Sequence, residues 1–209
     1  STTNFKKIPW RGFLYRTQYC QIAFVFRNKR NIEAKLHIGK IAASFLDHAD
    51  SVFLDSSSTC LCLAKSIPQD LQLDFLTFGI PTAQTLAENP NFFVEVPGGK
   101  YNAQRQSIYG KEACDYFSTH HANFCFLSGY GFSAETGLTE VYRDEAVLKR
   151  VLHENSDHTI VLIDHSKFGN SYYRKIVDFK EIDALITDQP VSEEINELCY
   201  KYDVQVLYE

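Results

Sequence analysis

The chain has 209 residues, of which 44% are hydrophobic and 22% charged, with a formal net charge of −5. That length buries one full core, alone or with a small appendage. The acidic balance is not the electrostatic footprint of a nucleic-acid-binding chain, and no apolar run is long enough to span a membrane as a helix.

Residues 1–30 carry Pro9, Gly12 and scattered aromatics with no clean period, and read as a linker followed by an edge element. Lys6, Lys7, Arg11, Arg16, Arg27, Lys29, Arg30 and Lys35 precede any strong strand signal, with Glu33 as the one acid among them. Such a run fits either a solvated linker face or a segment close to DNA in a longer protein. No signal peptide is expected from its first residues. It begins at Ser1 and contains no methionine, so it is expected to be a fragment or a processed chain.

Residues 31–48 predict an amphipathic helix with Ile32, Leu36, Ile41 and Phe45 near one face and Asn31 as N-cap. A buried strand over 52–54 and a helix over 59–66 follow. A strand over 73–78 leads to a helix beginning at Pro81, then a strand over 92–96 and a sharp turn at Pro97, Gly98 and Gly99. Residues 110–118 read as helix, 123–127 as strand, 143–154 as helix and 159–163 as strand. The last strands, 184–187 and 204–207, flank a helix over 192–202. Strands alternating with helices, and reading as continuous apolar runs, predict an α/β fold: a mostly parallel sheet with helices on both faces.

The six cysteines include no Cys-x-x-Cys pair, and several sit in apolar runs, as Cys125 does between Phe124 and Phe126. They read as reduced thiols of a cytoplasmic protein. His120 and His121 are adjacent and would point to different helix faces, so no metal site is expected.

In parallel sheets, ligands bind beyond the carboxyl ends of strands. Here those ends carry Asp55-Ser56-Ser57-Ser58-Thr59, Pro97-Gly98-Gly99-Lys100, Ser128-Gly129-Tyr130-Gly131 and Asp164-His165-Ser166-Lys167. The first is an acid and four hydroxyl residues between a strand and a helix, where backbone N–H groups and hydroxyls suit a phosphate; an ordinary N-cap is the plain alternative. Lys167 would bring a point charge to that phosphate. Neither a P-loop nor a dinucleotide fingerprint is present.

The chain resembles the C-terminal effector-sensing domain of DeoR-family bacterial transcriptional repressors. The resemblance runs through Arg30-Asn31-Ile32-Glu33-Ala34-Lys35, Ile38-Gly39-Lys40, residues 53–59, Pro97-Gly98-Gly99 and Tyr109-Gly110. It continues in Gly137-Leu138-Thr139, Glu145, Ala146, Lys149, Arg150, residues 161–169 and residues 182–188. It implies a fold related to ribose-5-phosphate isomerase A and the coenzyme A transferases, and a phosphorylated sugar or similar metabolite as effector. It also implies an N-terminal winged helix-turn-helix, through which alone DNA would be bound. Residues 1–30 offer no such module and are expected to be the linker after it, leaving 31–209 as the sensing domain. One departure is the run Ser56-Ser57-Ser58, where many relatives carry a glycine. Ser128–Phe132 is also unusually aromatic; Tyr130 or Phe132 either closes over the ligand or packs.

The expected effector-binding set is Asp55, Ser56, Ser57, Ser58, Thr59, Gly98, Gly99, Lys100, Gly131, Lys149, Asp164 and Lys167. No cofactor, metal or catalytic residue is expected, and a homodimer or homotetramer is. The alternative is a sugar-phosphate isomerase, which needs a positioned general base. The strand end at 128–131 offers no carboxylate, and Glu135 is expected in a loop. An oligomerisation module would explain the fold but not the polar strand ends.

Overall fold

The computed structural model describes residues 23–209, so Lys6, Lys7, Arg11, Arg16, Cys20 and most of the expected linker lie outside the described residues. Seven strands form a parallel sheet in the order β12-β11-β9-β6-β1-β2-β3. They are β1 (Ser51–Leu54), β2 (Leu73–Thr77), β3 (Phe92–Glu95), β6 (Ala122–Leu127), β9 (Ser156–Leu162), β11 (Ala184–Ile186) and β12 (Gln205–Leu207). Alternate residues of each strand feed the two covering layers, as the period of two requires. In β1, Val52 and Leu54 join Ile38, Ala42 and Leu63 on one face. Phe53 joins Phe117, Leu148 and Leu152 on the other.

The first layer is built by α2 (Ile32–Ala43) and α3 (Ser58–Ala64), the second by α5 (Lys111–Phe117), α6 (Arg143–Glu154) and α7 (Glu193–Tyr202). A further helix, α4 (Ile80–Leu86), precedes β3 with Pro81 in its first turn. These elements agree with the expected ones to within a few residues at their ends.

Three features differ. Phe24–Lys29 forms a short helix, α1, where a linker and edge element are expected. Its stability comes from outside the segment: the Phe24 side chain is buried, and Lys35 Nζ donates to the carbonyls of Arg27 and Arg30 at 2.6 and 2.7 Å. Asn31 precedes α2 in the left-handed region (φ 51°) and its side chain does not cap; it donates to Asp164 instead. Two small antiparallel sheets also lie beside the main one. They are the hairpin of β4 (Lys100–Asn102) with β5 (Ser107–Tyr109), and β10 (Arg174–Val177) with β8 (Gly137–Glu140) and β7 (Gly131–Ser133). These strands lack the continuous apolar runs that mark β1 and β11 in the sequence.

Strand order reverses at β1. The chain builds outward through β2 and β3, then returns to place β6 on the other side of β1. The carboxyl ends of β1, β6 and β9 therefore open side by side at a topological switch point, where a crevice forms.

Candidate functional site

A cavity of about 370 Å³ lies over those three strand ends. Ser57 and Ser58 reach it from the end of β1, Gly129 and Tyr130 from β6, and Asp164, Ser166 and Lys167 from β9. Arg27 comes from α1, Arg30 and Asn31 from the link between α1 and α2, Lys35 from α2, Glu140 from β8, Lys149 from α6, and Asn170 and Tyr172 from the loop before β10.

The loop after β1 is internally committed. Asp55 is fully buried; its carboxylate accepts from Ser57 N–H at 2.7 Å and Ser128 N–H at 2.8 Å, tying the ends of β1 and β6 together. Ser57 caps α3 by accepting from Cys60 N–H. Ser56 donates to Glu145, and Thr59 is buried away from the cavity. Of this loop, Ser57 and Ser58 line the cavity, while Asp55, Ser56 and Thr59 support it from beneath.

Lys149 forms the cavity floor. Its ammonium donates to Glu140 Oε2 at 2.7 Å and to the Ser128 carbonyl at 2.9 Å, and lies 3.4 Å from Asp55 and 3.8 Å from Glu145. Burial opposes its charge, but Glu140, Asp55 and Glu145 outweigh burial and hold its pKa above the ordinary lysine value. Burial likewise opposes ionisation of Asp55, and Lys149 with the Ser57 and Ser128 hydrogen bonds reverses it, lowering the pKa. Glu145 extends the network: it pairs with Arg105, which stacks over the Tyr142 ring at 3.4 Å, and accepts from Ser107.

Lys167 is placed differently. It is half-buried, donates to Ser128 Oγ at 3.0 Å and lies 3.8 Å from Asp164. Burial lowers its pKa, opposed by Asp164 and reinforced by Lys149. Asp164 accepts from Ser166 N–H and Oγ and from Asn31 Nδ2, so it caps its own turn and ties α2 to the end of β9. Burial works against its carboxylate, but Lys167, those hydrogen bonds and Lys35 lower its pKa to about 2. Lys35 has its pKa lowered to about 8 by burial and by Lys167, against Asp164.

Of the expected set, Ser57, Ser58, Lys149, Asp164 and Lys167 line the cavity together. Gly98, Gly99 and Lys100 lie instead at the β4–β5 hairpin, and Gly131 sits under the Asn170 backbone, outside the lining. Gly99 (φ 141°) serves the hairpin, where a Cβ would meet the Tyr109 carbonyl at 2.7 Å. Tyr130 lines the cavity, whereas Phe132 is buried against Phe168 and Phe179. Sequence reasoning missed Arg27, Arg30, Lys35, Glu140 and Tyr172 as lining residues. Glu135 is exposed in the β7–β8 turn and does not line the cavity. Glu140 and Asp164 are the carboxylates that line it, and the Val141 and Tyr142 N–H groups and Lys149 already occupy the oxygens of Glu140.

A doubly wound sheet with a cation-rich cavity at its switch point defines a small-molecule-binding domain. Residues 30–189 match the DeoR C terminal sensor domain, and the chain belongs to that family. It is 35% identical over 196 residues to the HTH-type transcriptional regulator GolR of Listeria innocua, covering 94% of this chain and 76% of that protein. It is 29% identical over 181 residues to the HTH-type transcriptional repressor GlcR of Bacillus subtilis, covering 87% and 69%. To the glycerol-3-phosphate regulon repressor of Escherichia coli K12 it is 25% identical over 180 residues, covering 86% and 71%. These relatives are transcriptional regulators, which favours a sensor over an isomerase.

Among solved structures, ribose 5-phosphate isomerase A from Methanocaldococcus jannaschii matches with a TM-score of 0.50 at 12% identity, over 66% of this chain and 55% of that one. The eIF2B beta subunit of Chaetomium thermophilum matches with a TM-score of 0.56 at 10% identity, over 81% and 53%. The chain thus spans little more than half of each, and the likeness shows the fold alone. No helix among the described residues is long and apolar enough to cross a membrane.

Proposed function

We propose that this domain senses a phosphorylated sugar or similar metabolite, and that binding controls a DNA-binding module elsewhere in the regulator. The observation that carries the reading is the juxtaposition of Lys167 with Ser57 and Ser58 in one cavity. Lys167 has one anionic partner, Asp164 at 3.8 Å, and the Ser57 and Ser58 hydroxyls line the same cavity as further donors for a phosphate. Arg27, Arg30 and Lys35 add positive potential, and Asp164 and Asn170 supply polar groups for sugar hydroxyls. A relative named for the glycerol-3-phosphate regulon supports a phosphorylated ligand class. Ser57, Ser58 and Lys167 hold the phosphate in this reading, over a floor set by Asp55 and Lys149.

Self-association through this domain belongs to the same proposal, because paired DNA half-sites call for paired subunits. Light scattering tests it, and a strictly monomeric mass at micromolar concentration counts against it. The ligand is tested by a thermal-shift screen of sugar phosphates and their unphosphorylated sugars, since a compound bound only by the native state raises the melting point. A shift confined to phosphorylated compounds is expected. Equal shifts for the free sugars would overturn the phosphate reading.

A further inference from the structure

The cations around the cavity are not equally matched. Lys149 meets Glu140 and Asp55, and Lys167 meets Asp164. Arg27 in α1 and Arg30 just after it line the same cavity, and neither forms an ion pair among the described residues. Arg27 Nε is buried without a hydrogen-bond partner, and its guanidinium lies 5.6 Å from the ring centroid of Tyr130, which lines the cavity too.

The helix that bears Arg27 is short, and Arg30 follows it directly. A six-residue helix does not sustain itself. The buried Phe24 side chain, Phe24 N–H to the Gln104 carbonyl at 2.9 Å, and the two Lys35 hydrogen bonds hold α1 to the domain. Lys35 itself faces the cavity. So one wall of the cavity is a short element, carrying two unmatched guanidiniums, joined directly to the chain that precedes the sensor.

We propose that Arg27 and Arg30 contact the anionic group of the effector from α1, so that the bound effector clamps α1 against the wall formed by Ser57, Ser58 and Lys167. This rests on the anion-binding reading above and adds the residues that carry its signal. A guanidinium fork matches a phosphate better than a point charge does, and it comes here from the segment 27–30. A ligand that requires docked α1 stabilises that docking by the same factor by which docking strengthens binding. Lys35 links the two events, since the ammonium that holds the α1 carbonyls also faces the anion.

The test uses the 209-residue chain with inorganic phosphate, ribose 5-phosphate and fructose 6-phosphate as probes. Calorimetry measures their affinity for wild type, for the Arg27→Gln/Arg30→Gln double variant and for Lys167→Ala, and hydrogen exchange follows residues 24–30. The double variant is expected to bind about tenfold or more weakly, with the melting point of the unliganded chain unchanged. Amide exchange over 24–30 should slow on adding a probe to wild type and stay unchanged in the double variant at the same probe concentration. Full affinity in the double variant, with loss in Lys167→Ala, would overturn the clamp and leave the phosphate site standing. Weakened binding without slower exchange at 24–30 in wild type would overturn it as well. Failure of every probe to bind wild type would overturn both readings.

Discussion

Lys149 Nζ donates to Glu140 Oε2 across 2.7 Å with both side chains closed off from solvent. Asp55 and Glu145 stand within 4 Å of the same ammonium. The pair therefore belongs to the floor of the cavity, where it fixes the ends of β6 and β8 against α6. Removing one member leaves buried charge uncompensated. Lys149→Met should destabilise the fold by about 3–5 kcal/mol, read as a lowered midpoint in urea. A stability within 1 kcal/mol of wild type, about the worth of an exposed pair, would show that the network is not what closes the floor.

Lys167 should behave in the opposite way. It is half-buried and its contacts are Ser128 Oγ and the more distant Asp164. A charge-assisted hydrogen bond contributes roughly 1.5–3 kcal/mol. Lys167→Ala is therefore expected to weaken a phosphorylated ligand by about ten- to a hundred-fold, leaving the unliganded melting point nearly unchanged. Calorimetry with the compound that gives the largest thermal shift makes the comparison, and equal affinities would remove Lys167 from the site.

The contrast between these two lysines also marks what sequence alone could tell. The alternation of strands and helices, and the polar ends of β1, β6 and β9, were legible because continuous apolar runs stop abruptly at Asp55, Ser128 and Asp164. The role of Lys149 was partly legible. Glu145 and Lys149 share the buried stripe of α6 with Leu148 and Leu152, and a charged pair four apart on an apolar face signals a buried ion network. Lys35 gives the same signal beside Ile38, Gly39 and Ala42 in α2. Arg27 and Arg30 stood out only as members of a basic run and of a family motif, and Tyr172 not at all, because their arrival at the cavity depends on how α1 and the loop before β10 dock. The Gly98–Gly99 turn looked like the other strand ends, yet it follows β3 at the sheet edge, away from the switch point.

Gly39 explains a small residue within α2 by close approach. A Cβ there would meet Cys62 carbonyl atoms at 2.7 Å and Leu63 N at 2.8 Å, so the backbones of α2 and α3 touch. Backbone cannot yield as a side-chain tip can. Gly39→Ala should destabilise by roughly 1–3 kcal/mol despite the better helix propensity of alanine. Because α3 begins at the Ser57 cap, the separation of the helices should also disturb the serine loop, and ligand affinity should fall along with the melting point. A stabilised variant would show that the helices have room to part.

Ligand binding should depend on pH through Lys35. Its pKa of about 8 lies below the ordinary lysine value of 10.5, lowered first by burial and then by Lys167. Arg27 also opposes its charge, while Asp164 and Cys62 act the other way. Asp164, at about 2, stays ionised throughout the useful range, and burial pushes the Cys62 thiol up. In the unliganded chain the folded state binds fewer protons than the unfolded one between pH 8 and 10.5. Burying the charged lysine thus costs stability below pH 8, and the cost is relieved as pH rises through that window. An anionic ligand acts on the other side of this balance, since it favours protonated Lys35. Above pH 8 binding must take up a proton, and affinity should fall by up to about tenfold per pH unit. Below about pH 6 a phosphate monoester loses its second charge, and affinity should fall again. The expected profile is a bell with its maximum between those limits. Calorimetry from pH 5 to 9.5 traces it, and in Lys35→Gln the fall above pH 8 should shrink while the acid limb stays. A wild-type profile that is flat from pH 7 to 9.5 would mean that Lys35 does not meet the bound anion.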